Sequence, residues 1–329
     1  MAHFNPDDFS RYFKFNIHTT TYKTVSEHPI DCHVLIPKTL SSATKNSSEP
    51  RPVILRFHGG GLVGASGLFP DFFAPWLLEL ASRNSAVIVS PDYRMIPESS
   101  IDELIEDVED SLKWTLGRAA GFCARKTDGK VDVNTSQLLA AGESAGGYLS
   151  LLTALNHPEQ IRSVTAAYPM VDLLSPYFTE DYDKPIFGMP QIPYSVIEDH
   201  LKKVKQGEAP SIVSSDPRFE RAQLMFCLFQ RGGLKDFFTE KNPQFQILEK
   251  LKGGARFPKG GVFVYHGKTD SLVPADGSTK LAELVRELDP ESKFHLEFRE
   301  GEHGFDGDAS LDDEWIANGV KDVAAAWLA

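Results

Sequence analysis

At 329 residues the chain is long enough for one elaborated α/β domain, or a core carrying a lid. Its apolar share of 41% is that of an ordinary globular protein, and a formal net charge of −12 disfavours nucleic acid or an anionic membrane as partner. Three cysteines, Cys32, Cys123 and Cys227, are too few and too odd in number for a disulfide framework, and free thiols suit a reducing compartment. No apolar run approaches the ~18 residues of a membrane span, and no basic stretch followed by an apolar one opens the chain. A cytoplasmic location is therefore expected, and the Asn46 and Asn134 sequons carry no weight without secretion.

Residues 1–17 carry Phe4, Phe9, Tyr12, Phe13 and Phe15, more rings than a disordered tail holds, so this segment is predicted to dock. Residues 19–26 and 30–37 read as a strand pair around His28-Pro29, and the Ser- and Thr-rich stretch 39–50 as a polar loop. Strand and helix then alternate: strand 52–57, helix about 72–83, strand 86–90, helix 101–117, strand 137–141, helix 145–156, strand 162–167. That alternation predicts an α/β fold, a mostly parallel sheet with helices on both faces. Within 101–117, Asp102, Glu103, Glu106, Asp107, Glu109 and Asp110 alternate with apolar residues at helical spacing, which reads as a solvated face. The rhythm breaks after Asp172. Residues 176–257 are rich in proline and aromatic residues, show no clear strand, and suggest short helices at 194–204, 217–230 and 242–252. They read as a helical cap inserted into a single domain, with about 1–18 as its second part. From Gly261 the alternation resumes, with strand 262–266, helix 277–288, strand 293–298 and a final helix 311–328.

The chemistry concentrates at the ends of these strands. Gly142-Glu143-Ser144-Ala145-Gly146 is a Gly-x-Ser-x-Gly elbow between the apolar run 137–141 and a small-residue stretch able to start a helix. Such a turn strains its serine and lifts the hydroxyl clear of the sheet. His58-Gly59-Gly60-Gly61 directly follows strand 52–57, and its glycines let amide N–H groups approach a ligand, as stabilising a nascent oxyanion requires. Asp270 follows strand 262–266 and a glycine turn; His303 follows strand 293–298. The order Ser, Asp, His, each after a predicted strand, is that of an α/β-hydrolase. Ser144 then reads as nucleophile, His303 as general base, Asp270 as the orienting carboxylate, and the N–H of Ala145 as an oxyanion donor. Asp276 and His295 are alternatives, but the strand-end positions favour Asp270 and His303. Glu143 reads as a support that hydrogen-bonds a loop, and His58 and His266 as structural.

Together these motifs resemble the hormone-sensitive-lipase family of α/β-hydrolases. Between the glycine loop and the elbow lies Asp92-Tyr93-Arg94-Met95-Ile96-Pro97-Glu98, similar to the family's Asp-Tyr-Arg-Leu-Ala-Pro-Glu segment, and Asp107 falls where the family places an acidic residue. The resemblance covers roughly 51–175 and 258–329. Leu62, Ile96 and Glu143 depart from the residues common there. It implies the α/β-hydrolase fold, a helical cap, Gly60 and Gly61 as further oxyanion donors, and Asp270 as the acid of a His-Gly-x-x-Asp pattern starting at His266. The implied activity is that of a serine carboxylesterase. The rings of 176–257, among them Tyr177, Phe187, Tyr194 and Phe226, favour small to medium hydrophobic esters. Rival readings are a natural-product tailoring hydrolase (lactone opening, deacetylation or cyclisation) and a non-catalytic ligand-binding member of the fold. No cofactor is expected. No Cys-x2-Cys or His-x3-His spacing points to a metal, and residues 59–64 fit a dinucleotide fingerprint only superficially. The expected partner is a small-molecule ester, and the oligomeric state leaves no mark in the sequence.

Overall fold

The computed structural model describes residues 4–42 and 49–329. Eight strands form one sheet: β1 (Phe15–Val25), β2 (His28–Pro37), β3 (Arg51–Phe57), β4 (Val87–Pro91), β5 (Val133–Glu143), β6 (Ser163–Ala167), β7 (Val262–Gly267) and β8 (Phe294–Arg299). Their order is β1-β2-β4-β3-β5-β6-β7-β8. β2 runs antiparallel to β1 and β4, and all pairs from β4 to β8 are parallel. The helices are α1 (Lys38–Ser42), α2 (Pro75–Arg83), α3 (Ile101–Lys126), α4 (Ala145–Asn156), α5 (Pro176–Thr179), α6 (Ser195–Gln206), α7 (Ala222–Gln230), α8 (Ile247–Lys252), α9 (Asp276–Leu288) and α10 (Glu314–Leu328).

The central strands are apolar on both sides because both faces are covered. Ile54, Ile88, Leu139 and Phe263 point into one core, closed by Trp76 and Leu80 of α2 and by Ile316, Val320 and Trp327 of α10. Their neighbours Val53, Leu55, Val89, Leu138 and Val264 point into the other, closed by α3, α4 and α9. Parallel register brings Phe57 opposite Gly142, and Glu143 opposite Ala167, so the carboxyl ends of β3, β5 and β6 lie side by side. In open α/β sheets this is the edge that carries ligands.

Two expectations need revision. The acidic face of α3 is not simply solvated. Asp107 is fully buried, accepting from Arg94 Nε at 2.8 Å and facing Lys23 Nζ at 2.8 Å; Glu106 and Asp110 close on the same lysine. A charge inside needs such partners, and here they come from β1 and the segment after β4. The polar stretch begins with the helical turn α1, while its residues 43–48, with the Asn46 sequon, lie outside the described residues.

The N-terminal segment docks from Phe4 onward; its residues 1–3 lie outside the described residues. The Phe4 ring lies 5.8, 5.4 and 5.7 Å from those of Phe69, Phe72 and Phe219, and Asp7 pairs with Arg218. Arg11 donates to the Phe73 carbonyl at 2.7 Å and to that of Gly307 at 3.4 Å. Cys32, Cys123 and Cys227 are buried and unpaired. Among the described residues no helix is long and apolar enough to cross a membrane.

Candidate active site

β5 hands the chain to α4 through Ser144 alone, which sits at φ 56°, ψ −118°. A non-glycine residue there is strained and must be held by its surroundings. Crowding explains the flanking glycines: a Cβ on Gly142 would fall 2.2 Å from the Gly146 carbonyl oxygen, and one on Gly146 2.0 Å from that of Phe57. The Ser144 amide donates to the Ala167 carbonyl at 2.9 Å, and its carbonyl accepts from Met170 at 3.3 Å and Tyr148 at 3.1 Å. The elbow is thereby tied to the turn that leaves β6.

Asp270 lies in the turn after β7. Its Oδ1 accepts from the amides of Leu272 and Val273 at 3.0 and 2.8 Å. Its Oδ2 accepts from His303 Nδ1 at 2.7 Å and lies 3.3 Å from His266 Nε2. Burial pushes this carboxyl up, but the charge of His303 and the bonds from His266 and His303 outweigh it and hold the group well below the usual carboxylate range. The bond at Nδ1 leaves His303 Nε2 as the nitrogen free to take a proton. The imidazole lies 4.4 Å from the ring of Tyr168, the residue between Ala167 and Pro169. Ser144 is thus hydrogen-bonded to this turn and His303 packs against it. Asp276, by contrast, opens α9 and pairs with Lys280 at 3.2 Å, and His295 lies within β8, half-exposed beside Glu297. Neither joins this group.

The glycine loop runs beside the elbow: a Cβ on Gly59 would lie 3.5 Å from that of Ser144. The Gly60 carbonyl accepts from Val63 and Gly64, both at 3.0 Å, which turns the loop inward. Among the described residues, none accepts a hydrogen bond from the amides of Gly60, Gly61 or Ala145. Met225 and Phe229 of α7 press on Gly61, within 2.6 and 2.9 Å of where its Cβ would be. The amide of Phe187 donates to Ser271 Oγ at 2.9 Å, beside Asp270.

Residues 54–203 match the family model described as alpha/beta hydrolase fold. The chain has the α/β-hydrolase fold. This hydrolase is 27% identical over 321 residues to a probable carboxylesterase of Phoma sp., covering 97% of this chain and 98% of that one. It is 22% identical to a segment of a non-reducing polyketide synthase of Emericella nidulans, covering 87% of this chain and 13% of the synthase. An esterase of Pyrobaculum calidifontis shares the fold at TM-score 0.56 and 22% identity, covering 95% of this chain and 84% of that one. The resemblance to the hormone-sensitive-lipase family is borne out, as is the α/β-hydrolase fold.

Several supports of the hydrolase's site were not read from sequence. Arg56, fully buried in β3, donates to both carboxyl oxygens of Glu143, to the carbonyls of Gly67 and Phe72 at 3.0 and 3.2 Å, and to Ser90 Oγ at 3.3 Å. Its guanidinium stacks 4.0 Å over the Phe73 ring. The signal was present: a charged residue within the apolar part of a parallel strand, two residues before the glycine loop. Glu143 accepts from the Gly59 amide at 2.9 Å, the loop contact expected of it. Burial pushes its carboxyl up to about 7, against the pull of Arg56 and the Gly59 amide. His58 donates from Nδ1 to the Gly59 carbonyl at 2.7 Å and stacks 4.3 Å from Tyr93; burial drives its pKa down to about 4, so it stays neutral. His266 bridges Ser278 and the Val273 carbonyl behind Asp270. Arg221, just before α7, clasps both carboxyl oxygens of Glu98 and the Ile96 carbonyl. Among the described residues no group of three or more His, Cys, Asp or Glu is placed to hold a metal ion.

Proposed function

We propose that this carboxylic ester hydrolase cleaves small to medium hydrophobic esters through an acyl-enzyme on Ser144. His303 Nε2 takes the hydroxyl proton as Ser144 Oγ attacks the carbonyl carbon, then returns it to the leaving alcohol; water repeats the sequence on the acyl-enzyme. Asp270 keeps the proton of the resting imidazole on Nδ1 and stabilises the imidazolium. The amides of Gly60, Gly61 and Ala145 meet the oxygen that gains charge, a term worth about 3 kcal/mol per donor. The observation carrying this reading is the 2.7 Å bond between His303 and Asp270, with the His303 ring packed on Tyr168 of the turn that also anchors the strained Ser144. Residues 176–257 form the cap together with the described N-terminal residues before β1, 4–14, since residues 15–18 belong to β1; Met225 and Phe229 against Gly61 supply an apolar wall for the substrate. Three buried, unpaired thiols support a cytoplasmic location.

A second reading, tailoring of a natural-product ester or lactone with the same parts, is favoured by the likeness to a polyketide synthase segment. Ser144→Ala tests the shared mechanism: turnover of a p-nitrophenyl ester is expected to vanish, together with labelling by a fluorophosphonate. Retained activity discards the triad. An acyl-chain series on the purified protein, with a metabolite screen of a knockout, separates a general esterase from a tailoring enzyme.

A further inference from the structure

Against one face of the His303 imidazole lies a polar network with no part in the acyl transfer above. Asp306, three residues on in the same turn, is 2% exposed. Tyr168, the residue after β6, donates its hydroxyl to Asp306 Oδ1 at 2.9 Å, and Tyr265 of β7 donates to Oδ2 at 2.5 Å. Trp76 of α2 donates its indole N–H to the Tyr265 oxygen at 3.0 Å. The indole is a donor only, so the Tyr265 oxygen accepts there and its own O–H is free for Asp306. Both carboxyl oxygens thus receive a phenolic proton, an arrangement that suits an ionised carboxylate. Burial pushes the Asp306 carboxyl up, opposed by the bonds from Tyr265 and Tyr168 and by the charge of His303.

The Tyr168 ring is fixed from both ends. Its hydroxyl is tied to Asp306, and its amide donates to the Tyr265 carbonyl at 2.6 Å with the backbone at φ 35°. The ring meets the imidazole at 4.4 Å and a tilt of 58°. An apolar filler would pack this space without burying a charge, yet the charge sits near the one group whose own charge changes during turnover. We propose that Asp306 is a positioning residue for His303: through Tyr168 it fixes the plane of the imidazole, and it lends the imidazolium a second negative neighbour. This rests on His303 being the general base.

Other charged and titratable groups surround the pair. Asp270 holds Nδ1, with His266 behind it, and Glu302 accepts from the His303 amide at 3.0 Å. Tyr177 of α5 donates to the Ser271 carbonyl over the Asp270 loop. Asp306 in turn acts on Glu143 in the elbow, and Arg11 reaches the Gly307 carbonyl. All of these stay in place in the variants below.

The test uses the purified full chain and p-nitrophenyl butyrate, with kcat and KM followed across pH. Asp306→Asn is expected to lower kcat about tenfold with KM within twofold. It is also expected to move the acid limb of kcat/KM to lower pH by about half a unit, because an imidazolium that loses a nearby anion gives up its proton more readily. Loosened packing alone would not move that limb. Tyr168→Phe keeps ring and carboxylate but cuts the tie between them; kcat is expected to fall roughly threefold with the limb unmoved. An Asp306→Asn enzyme with an unmoved limb and kcat within twofold of the parent overturns the proposal. If Asp306→Asn does not fold, as judged by circular dichroism, Tyr168→Phe decides, and an unchanged kcat overturns it. His303→Ala separates the two levels. Full turnover without the imidazole sinks the general-base assignment itself, whereas loss of turnover there alongside a silent Asp306→Asn sinks only the positioning role.

Discussion

Replacing Arg56 by methionine removes the only cation among the described residues in contact with Glu143, while keeping most of the buried apolar stem. Glu143 is left in a dry site, and its carboxyl stands at about 7 even with the guanidinium beside it. Breaking a buried pair by deleting one partner costs about 3–5 kcal/mol. At roughly 2 °C per kcal/mol for a chain of this size, Tm should fall by about 6–10 °C. The sign of the pH effect follows from the direction of the shift. A carboxyl raised above its unfolded value favours the folded state fully below that value, and the benefit is lost as pH rises through the folded one. Without Arg56 the folded value climbs further, so the loss in Tm should be larger at pH 8 than at pH 5. Arg56→Met combined with Glu143→Gln removes the charge and keeps an acceptor for the Gly59 amide; its Tm should exceed that of Arg56→Met and vary less with pH. Thermal unfolding of the three variants at both pH values is the assay. A loss under 2 °C, or an equal loss at both pH values, would refute the claim that the glycine loop rests on a buried ion pair.

Two further outcomes are expected. Asp270→Asn should cut kcat by about 10⁴-fold, since the imidazole loses its productive tautomer. The same substitution should flatten the acid side of the stability curve: the depressed carboxyl of the parent stabilises the fold above its unfolded value near 4 and loses that contribution as pH falls, so Tm between pH 5 and 3 should drop less in the variant. Met225→Ala should shift the best p-nitrophenyl ester towards longer acyl chains, because this side chain packs over Gly61 and its loss opens apolar space there; an unchanged chain-length profile places the acyl group elsewhere.

Local signals carried the core of the fold. The helix read at 145–156 is α4, residue for residue, because a run of small and apolar residues starts at a turn that permits only one exit. The four motifs of the site come together at one edge because strand alternation fixes which ends face up. What escaped the sequence depended on distant partners. β5 begins at Val133, not 137, since Val133 and Asn134 pair with Arg51 and Pro52 despite their turn-like composition. α3 continues to Lys126 through Gly117 and Gly121, residues that weaken a helix locally; Ala119, Phe122 and Cys123 are buried against the core and override them. Asp107 and Arg56 read as surface and strand residues until their counter-charges, brought by other elements, are seen.

The two carbonyls held by Arg11 belong to the stretch roofing the ion pair and to the turn bearing His303. A single side chain near the amino end therefore bridges the stretch beside Arg56 and the turn that carries His303. Whatever tugs on that end, a fused leader or a protease nick, reaches both halves of the proposed catalytic apparatus at once.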